Sequence, residues 1–363
     1  MKFGLFGSAS TFAIVQNILA SVQNTPLIIT TKDIKTKLTQ KTDIKIKTWS
    51  EIIKDEKDGI LYNWKNTTTV LFHIPQTSDR LIDTVGKSQN IIVAAFSPIT
   101  GGPSTAYNNY RLIIDNTSWT RFFEEFCGSN EENPTRGEKK IWFNDIDEIR
   151  SVFGKFSRIE PLPIRNDVKN VFFANVNTEA AYNNLETYGI TNDPITGQII
   201  APQNSAISSL GYLNCICSEK LDYIAEIAKT NKKVVVFVNN QKELSITTLE
   251  LQRRLKGYPV VPYVKDMSDA LYNLFADAEK SILVATYEAG ENVWQYPADV
   301  KIEMAQAVKQ AFGVAVRLYS TISETKKHIS LIAGFSDSER KTIDEIRNMQ
   351  LERIIEQNND FLR

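Results

Sequence analysis

The sequence predicts an α/β fold with two domains, each built on a parallel sheet flanked by helices. Three observations support this prediction. Apolar runs recur along the whole chain without strict polar alternation, as in strands covered by helices on both faces. Stretches with apolar residues at three- and four-residue spacing lie between them, as in amphipathic helices. A polar, charged segment near the middle separates two such series, which indicates a domain boundary.

Length, composition and charge are those of an ordinary globular protein with two cores. The 363 residues are 42% apolar and 23% charged, and 42 basic against 43 acidic residues leave a net charge of -1. This balance excludes a whole-molecule attraction to DNA but leaves room for a local basic face. No signal peptide or membrane-spanning apolar run is recognised, so we expect no membrane partner.

Nine segments are predicted as strands from their apolar character. In chain order they are KFGLF, PLIIT, TVLFHI, NIIVAAF, KNVFFANV, YLNCIC, KVVVFVNN, YPVVPYV and SILVATY. Helical spacing is clearest in FAIVQNILASV, KLDYIAEIAK, TLELQRRLK and SDALYNLFADA. Regular alternation of strand and helix is typical of a doubly wound α/β architecture.

Three irregular segments interrupt the series of strands and helices, and one of them marks the predicted domain boundary. CGSNEENPTRGEKK is a predicted surface loop, and RIEPLPIRND is a predicted extended linker, after which the strand series restarts. We therefore assign the first domain to residues 1–160 and the second to residues 161–335. Within the second domain, GITNDPITGQIIAPQNS is a predicted surface loop. Residues 336–363 are charged and are predicted to form a C-terminal helix.

The cysteines give no sign of a metal site. On the predicted strand YLNCIC, Cys215 and Cys217 would point to the same face. No second Cys/His pair accompanies them, as a zinc site requires. We expect these two residues and Cys127 to be buried free thiols.

The order and spacing of several motifs resemble one protein family across nearly the whole chain. The motifs are FGLFGSASTFAIVQNIL, TVLFHIPQTSDRL, NIIVAAFSPITGGP, CSEKLDYIAEIAKTNKKVVVFVNNQKEL, SILVATYEAGENVWQYPADVKIEM and AQAVKQAFGVAVRLYSTISETKKHI. They resemble the superfamily 2 helicase core of the Swi/Snf-type translocases and their viral relatives. The resemblance implies two tandem RecA-like domains, with parallel sheets flanked by helices and a C-terminal helical tail.

The motifs that would bind and split ATP are degenerate. In this family a lysine of the phosphate loop, a magnesium-binding carboxylate and arginines of the second domain act together on the triphosphate. In the loop Gly7 and Thr11 match, but Ser10 stands at the lysine. The strand TVLFHI carries His73 where the carboxylate belongs.

The last motif is degenerate as well, since Gln306 matches but Lys309 and Phe312 stand at the arginine positions. We therefore interpret Gly7, Ser10 and Thr11 as a degenerate phosphate loop and expect ATP and Mg²⁺ binding to be lost. Taken alone, GSAST is also typical of a tight turn that binds nothing.

The leading hypothesis is a catalytically inactive helicase-like protein that binds nucleic acid or serves as a structural component. The resemblance implies DNA or RNA backbone contacts at Thr30, Thr31, Lys32, Asn239, Asn240 and Thr286. A protein partner or a larger assembly is an equal alternative. Richness in Asn, Ile, Lys and Thr and the viral relatives suggest a virus or phage source, and hence a cytoplasmic, nucleic-acid-associated or virion location.

Two enzyme hypotheses remain open. A two-domain glycosyltransferase that uses a nucleotide sugar would have Glu288, Glu291 and Asp299 as candidate carboxylates. An active DNA-dependent ATPase or helicase with displaced catalytic residues would draw its cation from Lys32 or Lys309. The second hypothesis also requires carboxylates to have moved.

Overall fold

The computed structural model describes residues 1–39, 42–74, 78–99, 102–129, 141–161, 168–174, 176–201, 206–264, 269–289, 298–307, 327–335 and 340–363. They form two compact units. Unit 1 comprises Met1–Pro163 and Ile354–Arg363, and unit 2 comprises Ile164–Arg353. The first boundary lies close to the predicted one, whereas the last ten residues of the predicted C-terminal tail are part of unit 1.

Unit 1 contains a six-stranded sheet with helices between its strands. The strands of the unit are β1 (Lys2–Gly7), β2 (Thr25–Ile29), β3 (Lys45–Lys47), β4 (Thr67–Phe72), β5 (Asn90–Ala95), β6 (Cys127–Ser129), β7 (Ile141–Phe143) and β8 (Ser157–Glu160). Its helices are α1 (Phe12–Ala20), α2 (Lys32–Thr39), α3 (Trp49–Lys57), α4 (Asp79–Val85), α5 (Pro103–Ile113), α6 (Trp119–Phe126) and α7 (Ile146–Gly154). The sheet order is β3-β2-β4-β5-β1-β8, with all pairs parallel.

Local sequence signals fix these elements. Every residue of β4 is buried, as expected for a strand with helices on both faces. Thr48 and Glu51 form a capping box at the start of α3, and Asp145 caps α7 through the N–H groups of Asp147 and Glu148. Glu160 ends β8, so part of the segment predicted as a linker is the edge strand of this sheet.

Unit 2 repeats the architecture. Its strands are β9 (Val168–Phe173), β10 (Thr191–Asn192), β11 (Ile199–Ile200), β12 (Lys233–Val238), β13 (Val260–Tyr263), β14 (Ser281–Thr286), β15 (Val300–Glu303) and β16 (Lys327–Ala333). Its helices are α8 (Glu179–Tyr188), α9 (Ala206–Cys215), α10 (Ser218–Thr230), α11 (Gln241–Arg254) and α12 (Asp269–Asp277). The main sheet is parallel in the order β13-β14-β12-β15-β16-β9. A last helix, α13 (Ile343–Leu362), ends the chain.

The predicted strand YLNCIC is wrong, because its first four residues are the end of helix α9 and its last two connect α9 to α10. Cys215 is the last residue of α9, and Cys217 is the N-cap of α10. The second half of α9 is buried on all sides, and a short apolar run of this kind does not distinguish a buried helix from a buried strand. Cys127, Cys215 and Cys217 are buried free thiols.

The predicted surface loop of unit 2 contains a small antiparallel hairpin. β10 pairs with β11 in the register Thr191 to Ile200 and Asn192 to Ile199. Gly197 supplies the positive φ of 71° that its turn requires. Among the described residues, no helix has the length and apolarity that crossing a membrane demands.

Candidate functional site

The carboxyl edge of the sheet in unit 1 is the candidate site, because parallel α/β sheets bind ligands where their strands end. β1 ends at Gly7, whose φ of 66° lies in the region that favours glycine. A Cβ on Gly7 would come within 1.8 Å of the Glu160 carbonyl oxygen on β8. Gly7 therefore permits the close pairing of β1 with β8, a role that needs no phosphate.

Gly7 and the turn that follows it form hydrogen bonds with other groups of the protein. They form a short 3₁₀ turn, Ser8–Ser10, in which the buried Ser10 hydroxyl donates to the Gly7 carbonyl oxygen at 2.8 Å. The Gly7 N–H donates to the carbonyl oxygen of Phe96, after β5, at 2.8 Å. Thr11 is exposed and precedes α1 without a side-chain cap bond. Gly7 and Ser10 thus each have a structural role.

His73 follows β4 at the same edge. Within the described residues it is the one non-glycine position with a positive φ, 49°. Its Nε2 lies 3.1 Å from the Ser10 carbonyl oxygen, so the tautomer protonated at Nε2 donates to that oxygen. The ring centroid is 4.5 Å from that of Phe72 and 4.9 Å from that of Phe96. The imidazole is therefore fixed against the turn interpreted from the sequence as a degenerate phosphate loop.

The carboxylates that follow β4 and end β8 both form ion pairs. Asp79, the first residue of α4, accepts from Arg111 at 2.7 Å, and Glu160 pairs with Arg158. Among the residues that the structure describes, no three His, Cys, Asp or Glu side chains are grouped to hold a metal ion. Each of the two carboxylates therefore has an arginine partner.

The three unit 1 residues predicted to contact nucleic acid follow β2. Thr30 is buried, and its hydroxyl donates to the Phe72 carbonyl oxygen at 2.7 Å. The Thr31 hydroxyl is buried and has no hydrogen-bonding partner in the described part of the chain. Lys32 is exposed at the start of α2. Of the three, Lys32 alone carries a charge.

The three predicted residues of unit 2 lie together at the carboxyl edge of its sheet, because β12 and β14 are paired. Asn240 caps α11 by accepting the Glu243 N–H at 3.0 Å. The Asn239 side-chain amide donates to the Gln306 carbonyl oxygen at 3.0 Å. Thr286 is only 4% exposed. The three residues therefore share one edge of the sheet, where the side chains of Asn239 and Asn240 bond within the protein and Thr286 is buried.

Gln306, which matches the family motif, is fully buried in the same region. Its amide donates to the Ser330 hydroxyl at 2.9 Å and to the Leu331 carbonyl oxygen at 3.2 Å. Nearby, the Glu243 carboxylate accepts the Asn239 N–H at 2.8 Å, and burial raises the pKa of Glu243. This network joins the ends of β12 and β15 to the middle of β16.

The two described carboxylates of the nucleotide-sugar hypothesis, Glu288 and Asp299, lie at opposite edges of the sheet. Glu288 is exposed in the turn after β14, at the carboxyl edge. Asp299 precedes β15, at the amino edge, and accepts the N–H groups of Lys232 and Lys233 at 2.9 and 3.0 Å. Outside the described residues lie Glu291, Lys309 and Phe312.

Lys301 on β15 is fully buried, and burial lowers the pKa of this residue to about 7. Between that value and the unfolded pKa of about 10.4, the unfolded chain binds more protons than the folded chain. The contribution of Lys301 to stability is therefore expected to rise with pH across this window, by at most about 1.4 kcal/mol per pH unit. The difference in urea unfolding between the wild type and Lys301→Met at pH 6.5, 8 and 9.5 separates this contribution from that of the buried thiols, whose raised pKa acts in the opposite direction.

The variant Lys301→Met is expected to be more stable than the wild type near neutral pH, with a gap that closes as pH rises. The exposed Lys256, changed to Met, is the matched control and should keep the wild-type slope. A gap between Lys301→Met and wild type that stays constant with pH would show that Lys301 titrates normally.

The comparisons with known proteins concern the fold. The chain resembles a variant of S. cerevisiae Dbp5 bound to RNA and ADP BeF3, with a TM-score of 0.50 and 8% identity over 100% of this chain and 84% of that chain. The Pyrococcus furiosus Hef helicase domain gives a TM-score of 0.44 at 12% identity, over 96% of this chain and 93% of that chain. The Sulfolobus solfataricus SWI2/SNF2 ATPase core domain gives a TM-score of 0.35 at 14% identity, over 98% of this chain and 90% of that chain.

No family model matches the chain, and no curated protein matches it. Together with the two parallel six-stranded sheets, the Dbp5 comparison confirms the predicted fold, two tandem RecA-like domains with parallel sheets flanked by helices. At 8% identity the likeness is one of fold and carries nothing about reaction or ligand.

Proposed function

We propose that the chain is a helicase-like protein without ATP turnover, which binds a nucleic-acid backbone or a protein partner as a component of a larger assembly. The observation that carries this proposal is the turn after β1, whose described polar groups form hydrogen bonds within the protein. Gly7 and Ser10 are hydrogen-bonded within the protein, and His73 packs against the turn. Such a role implies action alongside nucleic acid, in a cell or in a virion.

The absence of turnover follows from the electrostatics of phosphoryl transfer. This chemistry needs fixed cations and a magnesium-binding carboxylate around the triphosphate. One arginine alone raises the catalytic rate by a factor of about 10³–10⁵. Ser10 and His73 carry neither a permanent positive charge nor a carboxylate. We expect calorimetric titration with MgATP to give no heat of binding, and a phosphate-release assay to stay at background. Saturable binding with turnover would overturn the proposal.

Lys32 tests the nucleic-acid branch. Reversing its charge with Lys32→Glu is expected to weaken binding to single-stranded DNA or RNA by about five- to tenfold at low salt. The slope of log affinity against log salt should fall by about 1, because one phosphate contact is lost. Fluorescence anisotropy with labelled oligonucleotides at 50 and 150 mM salt measures both.

The matched control is Lys65→Glu, which reverses an exposed lysine just before β4, at the amino edge of the same sheet. This variant should bind as the wild type does. Equal losses in both variants would indicate nonspecific attraction. A wild-type chain that binds no oligonucleotide would leave the protein partner as the function.

A further inference from the structure

A pocket of about 620 Å³ opens in unit 2 between the β10–β11 hairpin, α9 and α11. Its volume lies in the range of ligand-binding pockets. The polar and apolar groups that define its chemistry are Thr196, Gln198, Ile199, Lys242, Ser245 and Leu249. None of these residues belongs to the candidate site at the carboxyl edge of unit 1.

One wall of the pocket is held in place by Asp193. One carboxylate oxygen accepts the N–H groups of Ile195 at 2.9 Å and Thr196 at 3.2 Å. The other accepts the Tyr212 hydroxyl of α9 at 2.7 Å. These bonds tie the hairpin to α9 and engage both oxygens of the single carboxylate in the described lining. Burial acts to raise the pKa of Asp193, but these hydrogen bonds outweigh it and lower the pKa, so Asp193 stays ionised with both oxygens occupied.

The remaining lining combines one cation with exposed aliphatic surface. The exposed Lys242 ammonium lies 4.0 Å from the centroid of the Tyr212 ring. This cation–π contact positions the ammonium over Tyr212, which also lines the pocket. Ile199 is 70% exposed and Leu249 is 43% exposed. Both side chains line the same pocket, so a ligand bound there can cover their exposed apolar surface.

We propose that this pocket docks a peptide segment of a partner protein in which an aspartate or glutamate lies within two residues of a large aliphatic side chain. The acidic group pairs with Lys242, and the aliphatic group packs against Ile199 and Leu249. This inference rests on the proposed binding function and names the chemistry of the partner.

Charge and ring geometry favour a peptide over nucleic acid at this pocket. A strand of nucleic acid is held by several cations and by open aromatic faces on which bases stack. Among the described residues of the lining, Lys242 is the one cation, and it covers the face of Tyr212 on which a base would stack.

Selection of random twelve-residue peptides on the immobilised full chain tests the proposal. The chain carrying both Lys242→Glu and Leu249→Asp serves for counter-selection. Enriched peptides should share an acidic residue within two positions of Leu, Ile or Met. In fluorescence polarisation, each single substitution should weaken the best peptide by about tenfold or more. Both positions are exposed, so unchanged melting temperatures are expected.

The matched controls are Lys256→Glu, beyond the end of α11, and Leu274→Asp, a 60% exposed leucine on α12. Neither lines the pocket, and both should bind the peptide as the wild type does. No enrichment over the double variant, or peptides without the acidic residue, would overturn the inference. Peptide binding together with MgATP turnover would keep the pocket and overturn the proposed function instead.

Discussion

Replacing Gly7 with alanine is expected to lower the free energy of unfolding by about 3 kcal/mol or more. The backbone at Gly7, with φ 66° and ψ −137°, costs a side chain about 1–3 kcal/mol. The new Cβ would also lie 1.8 Å from the Glu160 carbonyl oxygen, so β1 and β8 would have to separate. Urea unfolding measures the loss, which corresponds to a fall in melting temperature of roughly 6–12 °C.

Gly59→Ala separates the two causes. Gly59 also has a positive φ, 81°, but a Cβ there meets nothing within 4 Å. This control should lose only about 1 kcal/mol, the cost of a left-handed conformation. If Gly7→Ala is as stable as Gly59→Ala, strand pairing does not explain the glycine. A role in ligand binding would then explain why glycine stands at position 7.

Replacing Lys220 with methionine is expected to destabilise the protein by about 3–5 kcal/mol, because it leaves a buried carboxylate unpaired. Lys220 and Asp344 are both fully buried, with Nζ 2.5 Å from the Asp344 carboxylate and 2.8 Å from the Met304 carbonyl oxygen. Burial acts to lower the pKa of Lys220, but the attraction of Asp344 outweighs it and the pKa is raised. Lys220 therefore remains charged at neutral pH.

A second substitution shows whether the unpaired charge is the cause. Adding Asp344→Asn to Lys220→Met removes the charge and leaves an oxygen that can accept the Ala333 N–H, now 3.3 Å from Asp344. At least half of the lost stability should return. On the same helix, Lys229 pairs with Glu226 in solvent, and Lys229→Met should cost less than about 1 kcal/mol. A small loss for Lys220→Met, or no recovery in the double variant, would contradict this account.

The long apolar runs predicted most of the two sheets, because buried parallel strands need little beyond β-branched and aromatic residues with helices on both faces. KVVVFVNN contains β12 and SILVATY contains β14, whereas TVLFHI covers the last four residues of β4 and runs two residues past its end. YLNCIC failed because a buried helix end has the same composition as a buried strand. β8 was missed because its four residues, SRIE, carry two charges at the edge of a sheet.

The candidate site was predicted in its position but not in its contacts. The motif order placed Gly7, Ser10 and His73 at strand ends, which the parallel sheet brings to one edge. The sequence could not reveal that Gly7 faces the Glu160 carbonyl oxygen, or that the imidazole of His73 bonds to Ser10. These contacts join residues 63 to about 150 positions apart, and no local pattern encodes them.

By itself, the sequence determined the α/β class, the two-unit organisation and the chemical groups at each strand end, since these depend on local periodicity and on residue type. The tertiary structure alone decided which of those groups are already bonded to one another, that Lys220 meets Asp344, and that a pocket forms beside Lys242. The physical reason is that hydrogen bonds, ion pairs and cavities arise from the approach of distant segments, which strand order and helix packing set.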